Sequence, residues 1–498
     1  MKKNNFFSFL KNNNDDLTLT QRTLQNIGIS GGATVISKGL RTISAIALAR
    51  LLNPIDFSIV GISQVLLGFI NQFSDVGYYA AVIQRKDKIE TAQYTGFYLR
   101  LFQALGVALL LFLLAPFWAK FYETQAITNV IRISLISIIV APFSFIPTTH
   151  FLKNLQFKKS AIVGISQNAA YVIIAVALAL FGFGYWSIVW GTVVGSAISV
   201  VVACLILPWK FKFNFNPQVA KELFNFGRFI LLCGLIGFAI SNIDNMLIGK
   251  VAGMTLLGYY VIAYKWGLWV KNNLASVIGS VMFPTFSKIQ DDIERLKKGY
   301  LQSLKYFSMV AFPVSLGLLA IAPEFIKVVL SPKWIPATIP MQILCIAGLC
   351  QTLGILDRKI FEAKGQPKIN TKLDALFLVI LIAILYPLVK YWEIIGASIA
   401  VLIPSFIIKI SQYLSITRLI SLKKRSILTS LYKSLFCSIV MLIAIFGARK
   451  YLYDMHLKEG VVFVILFFIG VIIYFLMTVF ISKKDLFELW KRLKEKKQ

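Results

Sequence analysis

Hydrophobic residues in this chain do not alternate with polar ones at the period of a strand or of a half-buried helix. They run in blocks separated by short stretches of Pro, Gly and charge. Blocks of roughly 20 mainly apolar residues match the thickness of a bilayer, and backbone groups inside lipid must find partners within their own helix. The pattern predicts an all-α, polytopic membrane protein with about fourteen spans, starting near residues 28, 57, 94, 127, 160, 185, 228, 257, 304, 337, 370, 394, 430 and 460.

An even number of spans puts both termini on one side, so the connecting segments should alternate between rich and poor in Lys and Arg. They do. One set carries Lys2, Lys3, Lys11 and Arg22, then Arg85, Lys86 and Lys88, Lys153, Lys158 and Lys159, Lys210, Lys212 and Lys221. It continues with Lys288, Arg295, Lys297 and Lys298, Lys364 and Lys368, then Arg418, Lys423, Lys424 and Arg425, and ends in the basic tail. The basic residues number about 30 in that set against about 8 in the other, which places both termini in the cytoplasm.

Composition agrees: 57% of the 498 residues are apolar and 15% charged. The net charge of +30 would raise nucleic acid in a soluble protein, but here the basic residues form the cytoplasmic loops held against anionic membrane lipids. No nucleic-acid partner is expected. Cys204, Cys233, Cys345, Cys350 and Cys437 all sit in apolar stretches without metal-type spacing. The polar first residues lack the apolar core of a cleavable signal. No phosphate-cradling Gly loop, nucleophile triad or metal cluster is present, so no catalytic residue, metal or ATP-driven step is expected. Ser30-Gly31-Gly32 and the Gly191 to Gly195 stretch read as close helix packing. The end of the chain, with Leu486, Trp490 and Leu493 among seven basic residues, reads as an amphipathic helix or a solvated tail.

A shift of 200 residues lays Leu48-Ala49-Arg50 on Ile248-Gly249-Lys250 and Ser58 on Gly258. Phe157-Lys158 corresponds to Pro367-Lys368, and Tyr185-Trp186 to Tyr391-Trp392. The expected organisation is a cytoplasmic segment 1–27, a six-helix bundle 28–208, a linker 209–227, a second six-helix bundle 228–416, an extra helix pair 430–481 and a basic tail 482–498. Paired repeats of this kind are how transporters alternate access between membrane faces.

A charge near mid-span costs about 2.5 to 3.5 kcal/mol on insertion scales, so it should meet water or a partner. Lys38 and Arg41 lie three apart on one face of the first span, and Lys265 and Lys271 lie in the eighth. These four are the candidate cationic lining for an anionic cargo. Arg100, Arg132, Arg358 and Lys409 are close enough to span ends to reach the headgroups. The acids inside spans, Asp75, Asp244, Asp357 and Asp374, could each hold Na⁺ or carry a proton, with pairing to a buried Lys the favoured role; Asp75 and Asp244 are the candidates for coupling or ion pairing.

Several stretches resemble known proteins: Leu48-Ala49-Arg50-Leu51-Leu52-Asn53-Pro54-Ile55-Asp56-Phe57, Asp75-Val76-Gly77, Ile83-Gln84-Arg85-Lys86-Asp87, Asn242-Ile243-Asp244, Leu257-Gly258-Tyr259-Tyr260 and Phe283-Pro284-Thr285-Phe286-Ser287. Their order and spacing resemble polysaccharide exporters of the colanic acid and teichuronic acid type, within the multidrug, oligosaccharidyl-lipid and polysaccharide exporter superfamily. Ser58 departs from the family's Gly. The resemblance implies a two-bundle fold and a non-enzymatic flippase. Its cargo would be an undecaprenyl-pyrophosphate-linked oligosaccharide of capsule, exopolysaccharide or O-antigen, moved across the bacterial cytoplasmic membrane beside other polysaccharide-assembly proteins. A cation-coupled multidrug-type antiporter of the same fold is the alternative. A membrane-bound polymerase is disfavoured by the short outer loops.

Overall fold

A computed structural model describes residues 19–74 and 78–495, and among these every regular element is helical. The chain divides into two compact units, Met1–Phe238 and Ala239–Gln498. Nine helices of the described residues are long and apolar enough to cross a membrane.

The first unit begins with α1 (Leu19–Leu51), α2 (Pro54–Ser74), the short α3 (Tyr78–Gln84) and α4 (Ile89–Phe121). It continues with α5 (Ala126–Val140), which runs through a 3-10 turn into α6 (Phe145–Lys153), then α7 (Phe157–Leu180) and α8 (Trp186–Ile206). α1 lies along α7, α7 along α8, and α5 packs against α2, α4 and α8. The α7–α8 contact is close because of glycine: a Cβ on Gly191 would sit 2.8 Å from that of Ala175, and one on Gly195 would sit 2.9 Å from the Gln167 carbonyl oxygen. Small residues permit this approach where lipid leaves no hydrophobic force between helices. Gly31 and Gly32 do not act this way. A Cβ on either would meet nothing within 4 Å, so the expected packing role fails on α1, whose face at this point is open.

Asp56 joins two turns of this unit. Its carboxylate accepts from the Asn53 amide at 2.8 Å and from the Tyr185 amide at 3.0 Å, tying the α1–α2 turn to the start of α8. Beyond α8 the chain is extended and is fastened to α4. The Tyr94 and Tyr98 hydroxyls donate to the carbonyls of Lys210 and Lys212, and Trp209 packs on Phe97. Helix resumes at Pro217, ten residues before the expected end of the linker, because Asn216 caps the amides of Gln218 and Val219. This helix, α9 (Pro217–Val251), carries the boundary between the units within it.

The second unit holds the rest of α9, α10 (Met254–Gly267), α11 (Trp269–Lys288), α12 (Ile293–Ala320), the single turn α13 (Ala322–Glu324) and α14 (Thr338–Ala363). Then follow α15 (Pro367–Leu419), α16 (Lys424–Asp454) and α17 (Glu459–Glu495). α14 is central, packing on α10, α11, α12 and α15, while α16 packs on α12 and α17 on α16. α15 is two helices broken at Trp392–Glu393, where Glu393 has φ +48°. α17 extends as helix through the basic tail as far as Glu495.

The internal repeat is visible in element boundaries. α1 ends at Leu51 and α9 at Val251; α2 begins at Pro54 and α10 at Met254; α7 begins at Phe157 and α15 at Pro367. The packing order also repeats, α2–α5, α4–α5 and α5–α8 corresponding to α10–α14, α12–α14 and α14–α15.

Replacing Asp56, whose own side chain is buried, leaves two backbone amides without their acceptor. Asp56→Ala is expected to cost about 2 kcal/mol and to lower the thermal unfolding midpoint of the purified protein, with Asp56→Asn intermediate. An unchanged midpoint in the alanine variant would refute the clamp.

Candidate functional site

Each half of the chain holds its own share of the candidate residues. On α1, Lys38 and Arg41 follow one another on the face that meets α7. Arg41 Nε donates to Asn168 Oδ1 at 2.6 Å. Asn168 is itself oriented, because its Nδ2 donates to the Gly164 carbonyl one turn back on α7 at 2.7 Å. Tyr171 lies within electrostatic reach of the same guanidinium. No carboxylate among the described residues stands at ion-pair distance from Arg41. A guanidinium steered through Nε by a neutral amide keeps its full charge, and its two terminal nitrogens face no acid, which is the arrangement that receives a phosphate in a bidentate grip.

In the second unit, Lys265 and Lys271 were expected on one span, but the structure bends that span between them. α10 ends at Gly267 and α11 starts at Trp269. The bend is pressed onto α14: a Cβ on Gly267 would sit 2.5 Å from that of Leu344, and one on Gly348 would sit 2.7 Å from the Gly267 carbonyl oxygen. Lys265 therefore closes α10 and Lys271 opens α11. Lys271 lies within electrostatic reach of Arg358 on α14 and Asp374 on α15, which form a bidentate ion pair at 2.8 and 2.7 Å. Lys271 and Arg358 share Asp374 there, with Glu362, itself paired to Lys359, also in electrostatic reach of Arg358, and the Arg358–Asp374 pair keeps 37% and 29% of its side-chain surfaces accessible.

An apolar cavity of about 490 Å³ opens beside the same bend. It is lined by Trp266 and Trp269 from the bend itself and, among others, by Pro313 of α12, Met441 of α16, and Phe467 and Tyr474 of α17. A cationic bend next to a hydrocarbon-lined cavity suits an amphiphile with an anionic head.

The remaining acids separate by environment. Asp244 of α9 is fully buried, and its two oxygens accept from Tyr260 Oη at 2.6 Å and from the Asn245 amide at 2.8 Å. Asp75 lies outside the described residues. Asp357 is fully buried and pairs with Lys409 at 2.5 Å while accepting from Tyr300 Oη at 2.6 Å. Glu324 of α13 is held by Arg449 of α16 at 2.8 Å.

Arg358 and Lys409 thus belong to interior ion pairs rather than reaching the headgroups, as their distance from span ends had implied. Arg100 stacks over Tyr79 at 4.6 Å and Arg132 over Phe112 at 4.3 Å. The Arg358–Asp374 pair had one signal in the sequence. Its two members are equally far from Gln366 in the α14–α15 turn, and residues symmetric about the turn of a helical hairpin come to the same height.

With this geometry in view, the chain was compared with known proteins. The profile of a family described as polysaccharide biosynthesis protein matches residues 47–339. The chain is 24% identical over 365 residues to the lipopolysaccharide biosynthesis protein WzxC of Escherichia coli strain K12, covering 72% of this chain and 73% of that one. It is 27% identical over 294 residues to the teichuronic acid biosynthesis protein TuaB of Bacillus subtilis strain 168, covering 59% and 61%. Among solved structures, the lipid II flippase MurJ in an inward closed conformation superposes with a TM-score of 0.75 at 14% identity, over 92% of this chain and 99% of that one. That likeness shows that the two chains share a fold.

The Asp357–Lys409 pair yields a test by double substitution. Removing one partner leaves an uncompensated interior charge, a loss of about 3 to 5 kcal/mol, whereas replacing both with apolar residues is far cheaper. Lys409→Met is expected to lower the unfolding midpoint more than the double variant Lys409→Met, Asp357→Leu. A double variant no more stable than the single one would contradict a structural pair.

Proposed function

We infer the function from one premise: the chain belongs to the polysaccharide biosynthesis protein family. It is a membrane flippase of polysaccharide biosynthesis, moving lipid-linked oligosaccharide precursors. The cargo we propose is an undecaprenyl-pyrophosphate-linked oligosaccharide. The observation that carries this reading is the Lys38–Arg41 pair, whose guanidinium is oriented by Asn168 and meets no acid among the described residues. In a span, a cation left in that condition has a use for an anionic partner. The bend at Lys265 and Lys271 supplies further positive charge, and the apolar cavity beside it accommodates part of the lipid chain.

The balance of charge weighs against an exporter of cationic drugs. Such a cargo needs unpaired carboxylates, yet Asp357, Asp374 and Glu324 are each bonded to a base. Among the described acids named above, Asp244 differs: buried and held by a hydroxyl and an amide, it is suited to taking up a proton or Na⁺ as the coupling ion. The two repeated halves provide the moving parts for alternating access. We assign fourteen spans, with both termini on the cytoplasmic side of the bacterial cytoplasmic membrane.

Replacing Lys38 and Arg41 by Gln removes charge-assisted hydrogen bonds of about 1.5 to 3 kcal/mol each. Export of surface polysaccharide in cells is expected to fall about 100-fold or more at unchanged protein level, and full export by the double variant would sink the binding role. For orientation, in a cysteine-free background Lys458→Cys is expected to react with a membrane-impermeant thiol reagent in intact cells, and Lys423→Cys only after permeabilisation. The reverse result would invert the topology.

A further inference from the structure

The first unit contains a cavity of about 310 Å³ among α2, α5 and α8 that the transport reading has not used. Its polar lining is Ser63 and Gln64 from α2, Ser134 and Ser137 from α5, and Thr192 from α8; the remaining residues are aliphatic or glycine, and none is charged. The three helices begin at Pro54, Ala126 and Trp186, all on the side assigned above as outer. Every polar residue of the lining falls within about three to four turns of those starts. The cavity therefore sits in the outer half of its unit.

The hydroxyls are arranged to accept. Ser63 Oγ donates to the Ile59 carbonyl at 2.7 Å, Ser134 Oγ to that of Val130 at 2.7 Å, and Thr192 Oγ1 to that of Ile188 at 2.9 Å. With their hydrogens committed to their own helices, the Ser134 and Thr192 oxygens offer lone pairs to whatever occupies the space, while Ser63 is fully buried. Ser137 Oγ is buried with no hydrogen-bond partner among the described residues. The Gln64 carboxamide brings both donors and an acceptor. Hydroxyls placed only to join helices would close the gap between them, and here they surround an open volume.

The chemistry selects the ligand class. A phosphate would find no cation, and a hydrocarbon chain would bury several polar groups without partners. An uncharged molecule dense in hydroxyls satisfies both conditions. Ligand pockets run from about 300 Å³ upward, so this one has room for a single ring. Gln64 and Thr192 are exposed at its rim, and polar side chains in a span face water rather than lipid. We propose that this cavity binds one neutral sugar ring of the cargo, separately from the cations that hold its pyrophosphate. The proposal rests on the flippase reading.

The test uses the full chain in lipid nanodiscs and equilibrium binding of two kinds of probe. One is undecaprenyl pyrophosphate alone; the other is the same lipid carrying one glucose, galactose or N-acetylglucosamine. The wild type is expected to bind at least one glycolipid about tenfold more tightly than the bare lipid, a gain that two neutral hydrogen bonds supply. A Ser134→Ala, Ser137→Val, Thr192→Val variant should bind both kinds at the bare-lipid affinity. Gln64→Leu, at the exposed rim, gives the same reading should the triple variant not fold. The pocket is overturned if no glycolipid gains over bare lipid, or if the gain survives these substitutions. Bare-lipid binding without a sugar gain would remove the pocket and leave the flippase standing, whereas no binding of any probe would remove both.

Discussion

A charge carried into hydrocarbon must be answered by an opposite charge, by water or by a ligand, and the distribution of charge in this protein is governed by that requirement. Asp357 is answered by Lys409 and Tyr300, Asp374 by Arg358, and Glu324 by Arg449. These contacts link α14 to α15 and α13 to α16, neighbours in the central packing of the second unit, so they hold structure together. Among the described residues, Arg41 is answered by the Asn168 amide and by no acid. On the function proposed above, the difference between a base locked to an acid and a base steered by a neutral oxygen separates architecture from transport.

The helices carrying these charges are positioned by short-range contacts rather than by a hydrophobic core, since lipid competes for apolar surface. Gly191 and Gly195 bring α8 onto α7, and Gly267 and Gly348 bring the α10–α11 bend onto α14. The second contact places Lys265 and Lys271 on separate helices and puts Trp266 and Trp269 at the mouth of the apolar cavity. Asp56 does for the outer turns of the first unit what glycine does along the helices.

The helical character of the chain and the places where it turns were readable from apolar block length and loop charge, because both are set by bilayer thickness and membrane potential, which act on sequence directly. The 200-residue shift found in the sequence falls on two helix ends, Leu51 and Val251. Contacts that depend on helix rotation were not. Lys409 lies 52 residues from Asp357, and nothing local in sequence says that the two face each other. Arg358 and Asp374 were an exception in principle, since symmetry about Gln366 brings them level. The serine and threonine lining among α2, α5 and α8 escaped notice for another reason: isolated hydroxyls in apolar runs carry no periodic or charge signal, and only three-helix packing gathers them. The glycines of α1 misled in the opposite sense, because a small residue marks a close approach only when a neighbouring helix is present.

The extended segment after α8 is fastened through its carbonyl oxygens, which accept from Tyr94 and Tyr98. A backbone oxygen is the same whichever amino acid bears it. Divergence among orthologues should therefore concentrate in residues 210–213 themselves, while the two tyrosines on α4 stay constrained, so that the constrained half of this fastening lies about 115 residues upstream of the segment it holds.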